Sequence, residues 1–416
     1  MDNIKRKLQY YINYYHMIRA ILATAQYGRP SKALKVIGVT GTDGKTTTTS
    51  LIYHILRSAG KKASMLSSVY AKIGDKEYDT GLHMTTPDAV LVQKLLRIAA
   101  DHGDEYFVLE TTSHAFHQNR NWGIRYKVGV ITNITSEHLD YHKTYKNYLL
   151  TKAKIITRSG ITLINRDDQS YESLVAYAQS KGAPYKSYGI DLESDFNRDL
   201  RRELKLSITD FNNYNYLAAY SVCKTLGISD DVIFKAFKTF VLPKGRMDIV
   251  YDKDFQVIID FAHTTNSFKE LLSHLKRNVR GRIIHVFGAA GLRDAQKRSH
   301  MGEMSARYAD VIIVTEEDYR TEDPKAIAEK IVLGIKEHDF TMADRNELDE
   351  KSKKVYTVLM DRHAAITKAI SIAKKGDVVV CTGKSHEKSL NRRGREEPWD
   401  EYESVRQALK LRSTDK

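Results

Sequence analysis

Cysteine is nearly absent from this chain, and long apolar stretches are absent altogether. Only Cys223 and Cys381 occur in 416 residues, far apart in the sequence. This scarcity excludes a disulfide framework and a cysteine-built zinc site, and it leads us to expect a cytoplasmic protein in a reducing environment. No apolar run approaches the roughly 18 residues that a bilayer-spanning helix requires, so we expect no integral membrane segment.

The sequence also lacks internal repeats, low-complexity tracts and a Gly-x-Ser-x-Gly motif around a nucleophilic serine. Apolar residues at 42% and charged residues at 28% indicate a globular chain, and the length is typical of two or three domains. The formal net charge is +14. Such a charge suits an anionic partner, which composition leaves open among nucleic acid, a membrane surface and a phosphorylated small molecule.

Residues 1–35 form a basic, tyrosine-rich extension with a helical pattern from residue 4 to residue 27. The apolar residues that this pattern places on one face are Leu8, Tyr11, Tyr15, Ile18 and Leu22. We favour a helix packed on the domain that follows. The alternative is a helix in a membrane interface, with Lys5, Arg6 and Lys7 near anionic headgroups.

Strand and helix patterns alternate along the rest of the chain, which predicts an α/β fold with mainly parallel sheets. The predicted strands are 35–40, 106–109, 128–132, 161–164, 257–260, 283–287, 311–315 and 378–381. The predicted helices are 46–59, 88–100, 145–157, 212–226, 267–275 and 364–373. Residues 166–210 are polar and irregular by pattern. A Leu-Pro-Lys-Gly breaker at 242–245 divides a P-loop domain, 36–243, from a Rossmann-like C-terminal domain, 244–416.

A glycine-rich segment between the first strand and the following helix predicts a phosphate-binding loop. Its ligand residues are predicted to be Gly41, Thr42, Asp43, Gly44, Lys45, Thr46 and Thr47. Successive backbone N–H groups of such a loop face phosphate oxygens, the lysine reaches the outer phosphates, and the first threonine hydroxyl can bind Mg²⁺. Nucleoside triphosphate binding follows from this strand–loop–helix context.

Carboxylate and imidazole groups follow the next two strands of the same domain. Glu110 to His114 come after the strand at 106–109, and residues 133–142, which include His138, come after the strand at 128–132. Ligands of open α/β sheets bind at the carboxyl ends of strands. Next to a phosphate loop, these side chains indicate a metal–phosphate site.

The motifs occur in a characteristic order. They are Thr40-Gly-Thr-Asp-Gly-Lys-Thr46, Thr85-Thr86-Pro87, Glu110-Thr-Thr-Ser-His114, His138-Leu-Asp-Tyr-His142, Lys152, Phe211-Asn212, Gly245-Arg246, Asp260-Phe-Ala-His263, Gly291-Leu-Arg293-Asp294, Arg320-Thr-Glu-Asp-Pro324 and Gly383-Lys384-Ser-His386-Glu387. The set resembles the Mur ligase family, ATP-dependent enzymes that form amide bonds in peptidoglycan precursors. It is most similar to the branch that adds the third residue to UDP-N-acetylmuramoyl-dipeptide.

The resemblance implies a role for each matching residue. Lys45 and its loop would bind the ATP phosphates and Thr46 one Mg²⁺, while Glu110 and His138 would bind a second Mg²⁺. Lys152 matches a lysine that the family carbamylates, and its carbamate would help to organise the second metal site.

The remaining implied sites are distributed over both domains. Adenine, ribose and phosphate contacts are implied at Asn212, Asn215, Arg246 and Asp260. Acceptor contacts are implied at Thr85, Thr86, Ser113 and His114. Contacts to the incoming amino acid are implied at Arg293, Asp318, Arg320, Lys384 and Glu387. His263 could assist the incoming amine or serve as a structural histidine at a strand end.

The family mechanism needs no side-chain nucleophile. The acceptor's carboxylate attacks the γ-phosphate of ATP, an acyl phosphate forms, and the incoming amine displaces phosphate. Positioning and charge neutralisation supply the catalysis.

Two departures from the family pattern bear on the substrates. Only 37 residues precede Gly38, so we expect that the family's N-terminal UDP-binding domain is missing and that the acceptor is recognised differently. The family's Asp-Asn-Pro-Arg selector for diaminopimelate reads Glu317-Asp318-Tyr319-Arg320 here. A diamino acid is favoured, because Arg320 can pair with its carboxylate and Glu387 with its distal ammonium, but diaminopimelate and lysine both stay open.

Three other functions are compatible with parts of the sequence. They are a ligase of the same architecture that acts on a folate, an ATP-binding subunit that works only with an amidotransferase partner, and a basic P-loop protein that acts on nucleic acid. Lys and Arg are dispersed and no aromatic–basic RNA-binding signature occurs, which argues against nucleic acid.

Overall fold

A computed structural model describes residues 2–81, 86–206 and 208–414 of the chain. The structure divides into two compact units, Met1–Val241 and Leu242–Lys416. In the described parts of the chain, no helix combines the length and hydrophobicity that crossing a bilayer requires.

The first unit is a nine-stranded sheet with helices on both faces. Its helices are α1 (Asp2–Gln26), α2 (Lys45–Ser58), α3 (Ala89–Asp101), α4 (Ser113–His117), α5 (Leu139–His142), α6 (Tyr145–Ala153), α7 (Tyr171–Ser180), α8 (Leu200–Leu204), α9 (Asp210–Thr225) and α10 (Asp230–Thr239). Its strands are β1 (Lys35–Thr40), β2 (Ala63–Leu66), β3 (Ala71–Ile73), β4 (Lys76–Tyr78), β5 (Tyr106–Glu110), β6 (Tyr126–Ile131), β7 (Thr162–Asn165), β8 (Tyr185–Gly189) and β9 (Phe196–Asn197).

Strand β1 lies at the centre of this sheet, whose order is β4-β3-β2-β5-β1-β6-β7-β8-β9. It pairs in parallel with β5 and β6, and of the strands in this sheet only the short strand β3 is antiparallel to its neighbours, β2 and β4. All of β1 except Lys35 is buried, as expected for a strand covered on both faces. The carboxyl ends of β5, β1 and β6 therefore meet at one edge, where the phosphate loop begins.

Helix α1 packs on α3 through its small residues. Ala20, Ala23 and Thr24 are buried, and the Thr24 hydroxyl donates to the Ala20 carbonyl oxygen at 2.7 Å. The apolar stripe that the sequence places on one face points the other way, since Tyr11 and Leu22 are 66% and 62% exposed. Small side chains let two helices approach closely, so the helix buries its alanines rather than its tyrosines.

The second unit is a seven-stranded, mainly parallel sheet with helices on both faces and a separate hairpin. Its strands are β10 (Asp248–Asp252), β11 (Gln256–Asp260), β12 (Ile283–Phe287), β13 (Val311–Val314), β14 (Thr341–Met342), β15 (Val355–Val358), β16 (Val378–Thr382), β17 (Ser389–Arg392) and β18 (Arg395–Pro398). Its helices are α11 (Thr265–Asn278), α12 (Lys297–Tyr308), α13 (Pro324–Lys336), α14 (Arg362–Ser371) and α15 (Glu401–Thr414). The sheet order is β10-β11-β16-β12-β13-β15-β14, and only β10 is antiparallel to its neighbour.

The α/β class and the mainly parallel sheets expected from the sequence are confirmed. The expectation of irregular structure over residues 166–210 is wrong, because α7, β8, β9 and α8 lie there. These elements escape the pattern because α7 buries only Leu174 and Ala178 and the strands are short and polar. Strand β15 was missed because it is only four residues long.

Candidate active site

The phosphate loop connects β1 to α2 and requires glycine at two positions. Gly44 has φ +80° and caps the N-terminus of α2, and a Cβ there would lie 2.1 Å from Asn215 Oδ1. A Cβ at Gly41 would lie 1.8 Å from Thr132 Oγ1. The loop is therefore packed against its neighbours and leads directly into a helix N-terminus, the part of a helix that attracts phosphate.

The loop is held in place by the residues that follow β6. The Thr42 N–H donates to the Asn133 carbonyl oxygen and the Asp43 N–H to Asn133 Oδ1, both at 2.9 Å. Thr132 Oγ1 donates to the Asp43 carbonyl oxygen at 2.6 Å. Asn133 and Thr132 were not among the predicted site residues, although Asn133 opens the polar cluster after β6.

Thr46 and Glu110 form the acidic side of the loop. Thr46 Oγ1 lies 3.2 Å and 3.1 Å from the two carboxylate oxygens of Glu110, which is 1% exposed. Ser68 joins them, since its N–H donates to Glu110 at 2.9 Å and its hydroxyl lies 2.8 Å from Thr46 Oγ1. Ser68 was missed because β2, the short strand that precedes it, was missed. Hydroxyl and carboxylate oxygens are ligands that Mg²⁺ prefers.

Lys152 is buried beside the same loop, with 2% of its surface exposed. Its Nζ donates to the Gly41 carbonyl oxygen at 2.6 Å and lies 4.7 Å from the centre of the Tyr148 ring. Among the described residues, no carboxylate lies within ion-pair distance of it. Burial, together with the nearby Lys45 ammonium, lowers the pKa of Lys152 well below its ordinary value.

Histidine rings and a tyrosine ring cluster on α4 and α5, in the segments that follow β5 and β6. The His114 ring lies 4.9 Å from that of His138 and 4.3 Å from that of Tyr141. Ser113 Oγ and His142 Nε2 are 3.0 Å apart. Burial and the neighbouring histidines lower the pKa of His142 to about 3, so this ring is neutral at physiological pH.

Of the two predicted acceptor threonines, Thr86 is tied to the end of β5, and Thr85 lies outside the described residues. Thr86 Oγ1 donates to the Glu110 carbonyl oxygen at 3.1 Å and accepts the Thr112 N–H at 3.0 Å. Arg120 donates to the Thr86 carbonyl oxygen at 2.8 Å. Thr86 therefore lies next to the strand end that carries Glu110.

Asn212 and Asn215 lie at the start of α9, which packs on α2. Both are buried, and Asn215 Nδ2 donates to Asn212 Oδ1 at 3.0 Å. Asn215 Oδ1 also accepts the Thr48 hydroxyl at 3.4 Å. The structure thus brings both predicted adenine-side residues to the first turn of the phosphate-loop helix, where Thr47 is also buried.

In the second unit, three predicted residues surround the end of β11. Asp260 accepts the Met247 N–H at 2.6 Å and the Ala262 N–H at 2.7 Å. The Arg246 guanidinium lies over the Phe261 ring at 4.7 Å. His263 Nδ1 lies 2.9 Å from the Phe261 carbonyl oxygen.

Lys384 connects two predicted amino-acid-binding carboxylates. Its side chain is completely buried, and its Nζ pairs with Asp318 at 2.8 Å and with Glu387. Burial disfavours the ammonium, but Glu387 and Asp318 outweigh burial and raise the pKa of Lys384. Asp318 also accepts the Asn391 N–H at 2.9 Å. This network holds Asp318 and Glu387 in fixed positions.

Arg320 lies beside this network at an open pocket of about 440 Å³. The pocket is lined by Tyr319, Arg320, Thr321, Glu322, Asp323, Pro324 and Arg393. Arg320 donates to the Gly291 carbonyl oxygen, and the loop from Gly291 also carries Arg293, which is exposed. Arg393, at the turn between β17 and β18, was not among the predicted residues. Its position depends on a short hairpin that the sequence pattern does not reveal.

Two family models match the chain. The Mur ligase middle domain matches residues 39–223, and the Mur ligase glutamate ligase domain matches residues 245–385. The UDP-N-acetylmuramoyl-L-alanyl-D-glutamate–2,6-diaminopimelate ligase of Aquifex aeolicus (strain VF5) is 36% identical over 398 residues, which are 92% of this chain and 79% of the relative.

Solved structures share the fold. A UDP-N-acetylmuramoyl-L-alanyl-D-glutamate–2,6-diaminopimelate ligase has a TM-score of 0.60 at 26% identity, over 95% of this chain and 83% of that one. E. coli FolC in complex with ADP has a TM-score of 0.68 at 18% identity, over 96% and 94% of the two chains. With both family models matched in order, the chain belongs to the Mur ligase family and is an ATP-dependent, amide-forming ligase.

Proposed function

We propose that this ligase joins a diamino acid, with diaminopimelate as the first candidate, to the terminal carboxylate of a muramyl-peptide acceptor. The relatives named for diaminopimelate support this substrate. They also favour it over a folate acceptor and over a subunit that depends on an amidotransferase. The observation that carries the proposal is a buried lysine beside the phosphate loop, Lys152, which a plain ATP-binding domain does not need.

The reaction proceeds through an acyl phosphate on the acceptor. The acceptor carboxylate attacks the γ-phosphate of ATP and ADP leaves. The amine of the incoming amino acid then attacks the acyl carbon, and the tetrahedral intermediate releases phosphate. Lys45 and the N-terminus of α2 bind the phosphates and hold them in line with the carboxylate.

Two magnesium ions would be held beside the loop. The Thr46 hydroxyl would bind one ion, and Glu110 with His138 would bind the other; the ions would neutralise charge on the transferred phosphoryl group. Within the described ranges, no three His, Cys, Asp or Glu side chains are grouped so that they could hold a metal by themselves. Phosphate oxygens and water would therefore complete the coordination, as is usual for Mg²⁺.

Lys152 has the properties that carbamylation requires. Only a neutral amine attacks carbon dioxide, and burial lowers the pKa of the Lys152 amine well below its ordinary value, which favours the neutral form. A positive ammonium beside two divalent cations would be repelled, whereas a carbamate carries a negative charge and two oxygen donors. We infer that the carbamate of Lys152 belongs to the metal site.

Each of the two units would contribute its own contacts to the substrates. Ser113, His114 and the two threonines Thr85 and Thr86 would contact the acceptor. In the second unit, Arg293 and Arg320 would bind the carboxylate of the incoming amino acid, and Glu387, held by Lys384 and Asp318, would bind its distal ammonium. In the first unit, Asn212 and Asn215 would contact adenine. In the second unit, Arg246 and Asp260 would contact phosphate and ribose, and His263 would position or deprotonate the amine.

The proposal is tested by amino-acid-dependent ADP release across a matrix of acceptors and amino acids. The acceptors are UDP-linked and UDP-free muramyl dipeptides and a folate, the amino acids are diaminopimelate, lysine and glutamate, and mass spectrometry identifies the product. Turnover only with the folate and glutamate would contradict the proposal.

The carbamate is tested by Lys152→Ala, with Lys154→Ala as the matched control two residues away. We expect the first variant to be inactive and the second to be active, because the Lys154 amine donates to the Phe116 carbonyl oxygen at 3.5 Å, whereas the Lys152 amine donates to the phosphate loop. Labelled bicarbonate followed by carbon NMR should show a carbamate signal that Lys152→Ala removes and Lys154→Ala retains. An unchanged signal in Lys152→Ala would place the carbamate elsewhere or exclude it.

A further inference from the structure

Helix α1 exposes an apolar face that is bordered by Arg19, whose side chain is 39% exposed and whose guanidinium lies 5.7 Å from the centre of the Tyr15 ring. Between residues 11 and 26 its exposed positions are Tyr11, Ile12, Tyr14, Tyr15, Ile18, Ile21, Leu22, Ala25 and Gln26. Seven of these are large hydrophobic side chains at least 36% exposed. An exposed apolar helix face of this length normally marks a surface that is covered by a partner.

The opposite face of α1 explains why the helix keeps this orientation. Ala20 and Ala23 are buried on that side, and at the edge of the exposed face Arg19 forms an ion pair with Asp88 at 3.8 Å. Nearly two turns further towards the N-terminus, Asn13 Nδ2 lies 3.4 Å from His117 Nδ1. The apolar face is therefore directed away from the unit by contacts between residue 9 and residue 24, and turning it inward would break them.

The charge around this face identifies the partner. The first 35 residues contain a single acidic residue, Asp2. Their basic residues are Lys5, Arg6, Lys7, Arg19, Arg29, Lys32 and Lys35. A basic segment with a tyrosine-rich apolar face has the chemistry of a helix that lies in the headgroup region of an anionic bilayer. A second copy of the chain would bring two such basic segments together, which is unfavourable.

We propose that α1 docks the protein on an anionic lipid surface through the face formed by Tyr11, Tyr14, Tyr15, Ile18 and Leu22. Tyrosine rings and aliphatic side chains enter the interface, and the basic residues of the segment attract anionic headgroups.

The position of α1 connects this surface to the acceptor side of the site, a step that rests on the proposed function. Gln9 Nε2 lies 3.3 Å from the Tyr141 hydroxyl, and Tyr141 packs on His114. The helix is about 10 Å thick, so docking brings the acceptor-side loops to about that distance from the headgroups. A muramyl peptide carried on a lipid would be within reach there.

The test is vesicle binding by the full chain without substrates, so its result does not depend on turnover. We expect co-flotation with mixed phosphatidylcholine–phosphatidylglycerol vesicles, weaker binding to pure phosphatidylcholine, and a loss of binding as salt screens the headgroups. Leu22→Glu should weaken binding on the order of tenfold, because a charge replaces an inserted leucine.

Leu333→Glu is the matched control, since Leu333 is 63% exposed and Leu22 is 62% exposed. It should bind vesicles like the original chain, and both variants should keep the original circular dichroism spectrum. Absence of binding, equal losses in both variants, or full binding by Leu22→Glu would overturn the proposal. So would light scattering that shows a dimer without lipid which Leu22→Glu dissociates, because the face would then join two copies of the chain.

Discussion

Replacing Gly44 by alanine should damage the phosphate loop more than the same change at Gly60. The two glycines flank the same helix, α2, and both have left-handed backbone angles, φ +80° and +72°. A Cβ at Gly44 would lie 2.1 Å from Asn215 Oδ1, whereas a Cβ at Gly60 would meet nothing within 4 Å. The comparison therefore separates backbone strain from the packing of the loop against α9.

The magnitudes follow from the contacts. An alanine in the left-handed region costs about 1–2 kcal/mol at either position. At Gly44 the Asn215 side chain must also move, which breaks its hydrogen bonds with Thr48 and Asn212 and costs about 2 kcal/mol more. We expect Gly44→Ala to lower the free energy of unfolding of the first unit by about 3–4 kcal/mol and Gly60→Ala by about 1–2 kcal/mol.

The assay uses the two tryptophans of the chain, one in each unit. In a Trp399→Phe background, the fluorescence of Trp122 reports unfolding of the first unit in denaturant, and calorimetry with ADP reports the phosphate loop. Gly44→Ala should weaken ADP binding and Gly60→Ala should not.

A double-mutant cycle supplies the decisive control. In an Asn215→Ala background the overlap is gone, so Gly44→Ala should cost only the backbone strain, and the coupling energy should be about 2 kcal/mol. Equal costs for Gly44→Ala and Gly60→Ala, or an additive cycle, would refute the reasoning that Asn215 demands glycine at this position.

Three further predictions concern the carboxylate of Glu110, the buried His285 of the second unit, and the choice of the incoming amino acid. Glu110→Gln should lower amino-acid-dependent ADP release by on the order of a hundredfold and raise the Mg²⁺ concentration required, because the amide lacks the carboxylate's charge; Glu105→Gln, at an exposed ion pair with Lys35, should do neither. Burial lowers the pKa of His285 from 6.5 to about 3, so only the unfolded state takes up a proton between these values, and stability falls as pH falls. His285→Gln should therefore reduce the slope of unfolding free energy against pH in that window by up to about 1.4 kcal/mol per pH unit, measured through Trp399 fluorescence; an unchanged slope would contradict a neutral buried ring. Arg393→Ala should raise the KM for diaminopimelate about tenfold and leave that for lysine unchanged, because only the diacid offers a second carboxylate to a guanidinium at the Arg320 pocket; equal changes for both substrates would contradict this role.

Much of the fold was predictable because its central strands are apolar runs with strong turn signals. The pattern predicted β1, β5, β6 and α2, which together position the phosphate loop. It failed over residues 166–210, where α7 and β8 are held by a few buried residues within a polar stretch. Strand periodicity is weak when a strand lies near a sheet edge and alternates little.

The site was predictable where its chemistry is local and unpredictable where it depends on folding. Lys45 and Thr46 are evident from a strand–loop–helix segment. Ser68 was missed because β2 is four residues long, and the exposure of Tyr11 and Leu22 contradicts the usual rule that the apolar stripe of a helix is buried. Tyr11 and Leu22 are exposed because α1 approaches α3 through its small residues.

The sequence by itself determined the order of the motifs, the two α/β units and the phosphate loop, because each depends on residues that are close together in the chain. Only the tertiary structure decided which groups meet and in what environment. Glu110 reaches Thr46 across 64 residues and Lys152 reaches Gly41 across 111. Burial lowers the pKa of Lys152. The fold also brings Lys384 next to two carboxylates, those of Asp318 and Glu387. Desolvation and ion pairing arise between segments distant in sequence, and no local pattern contains them.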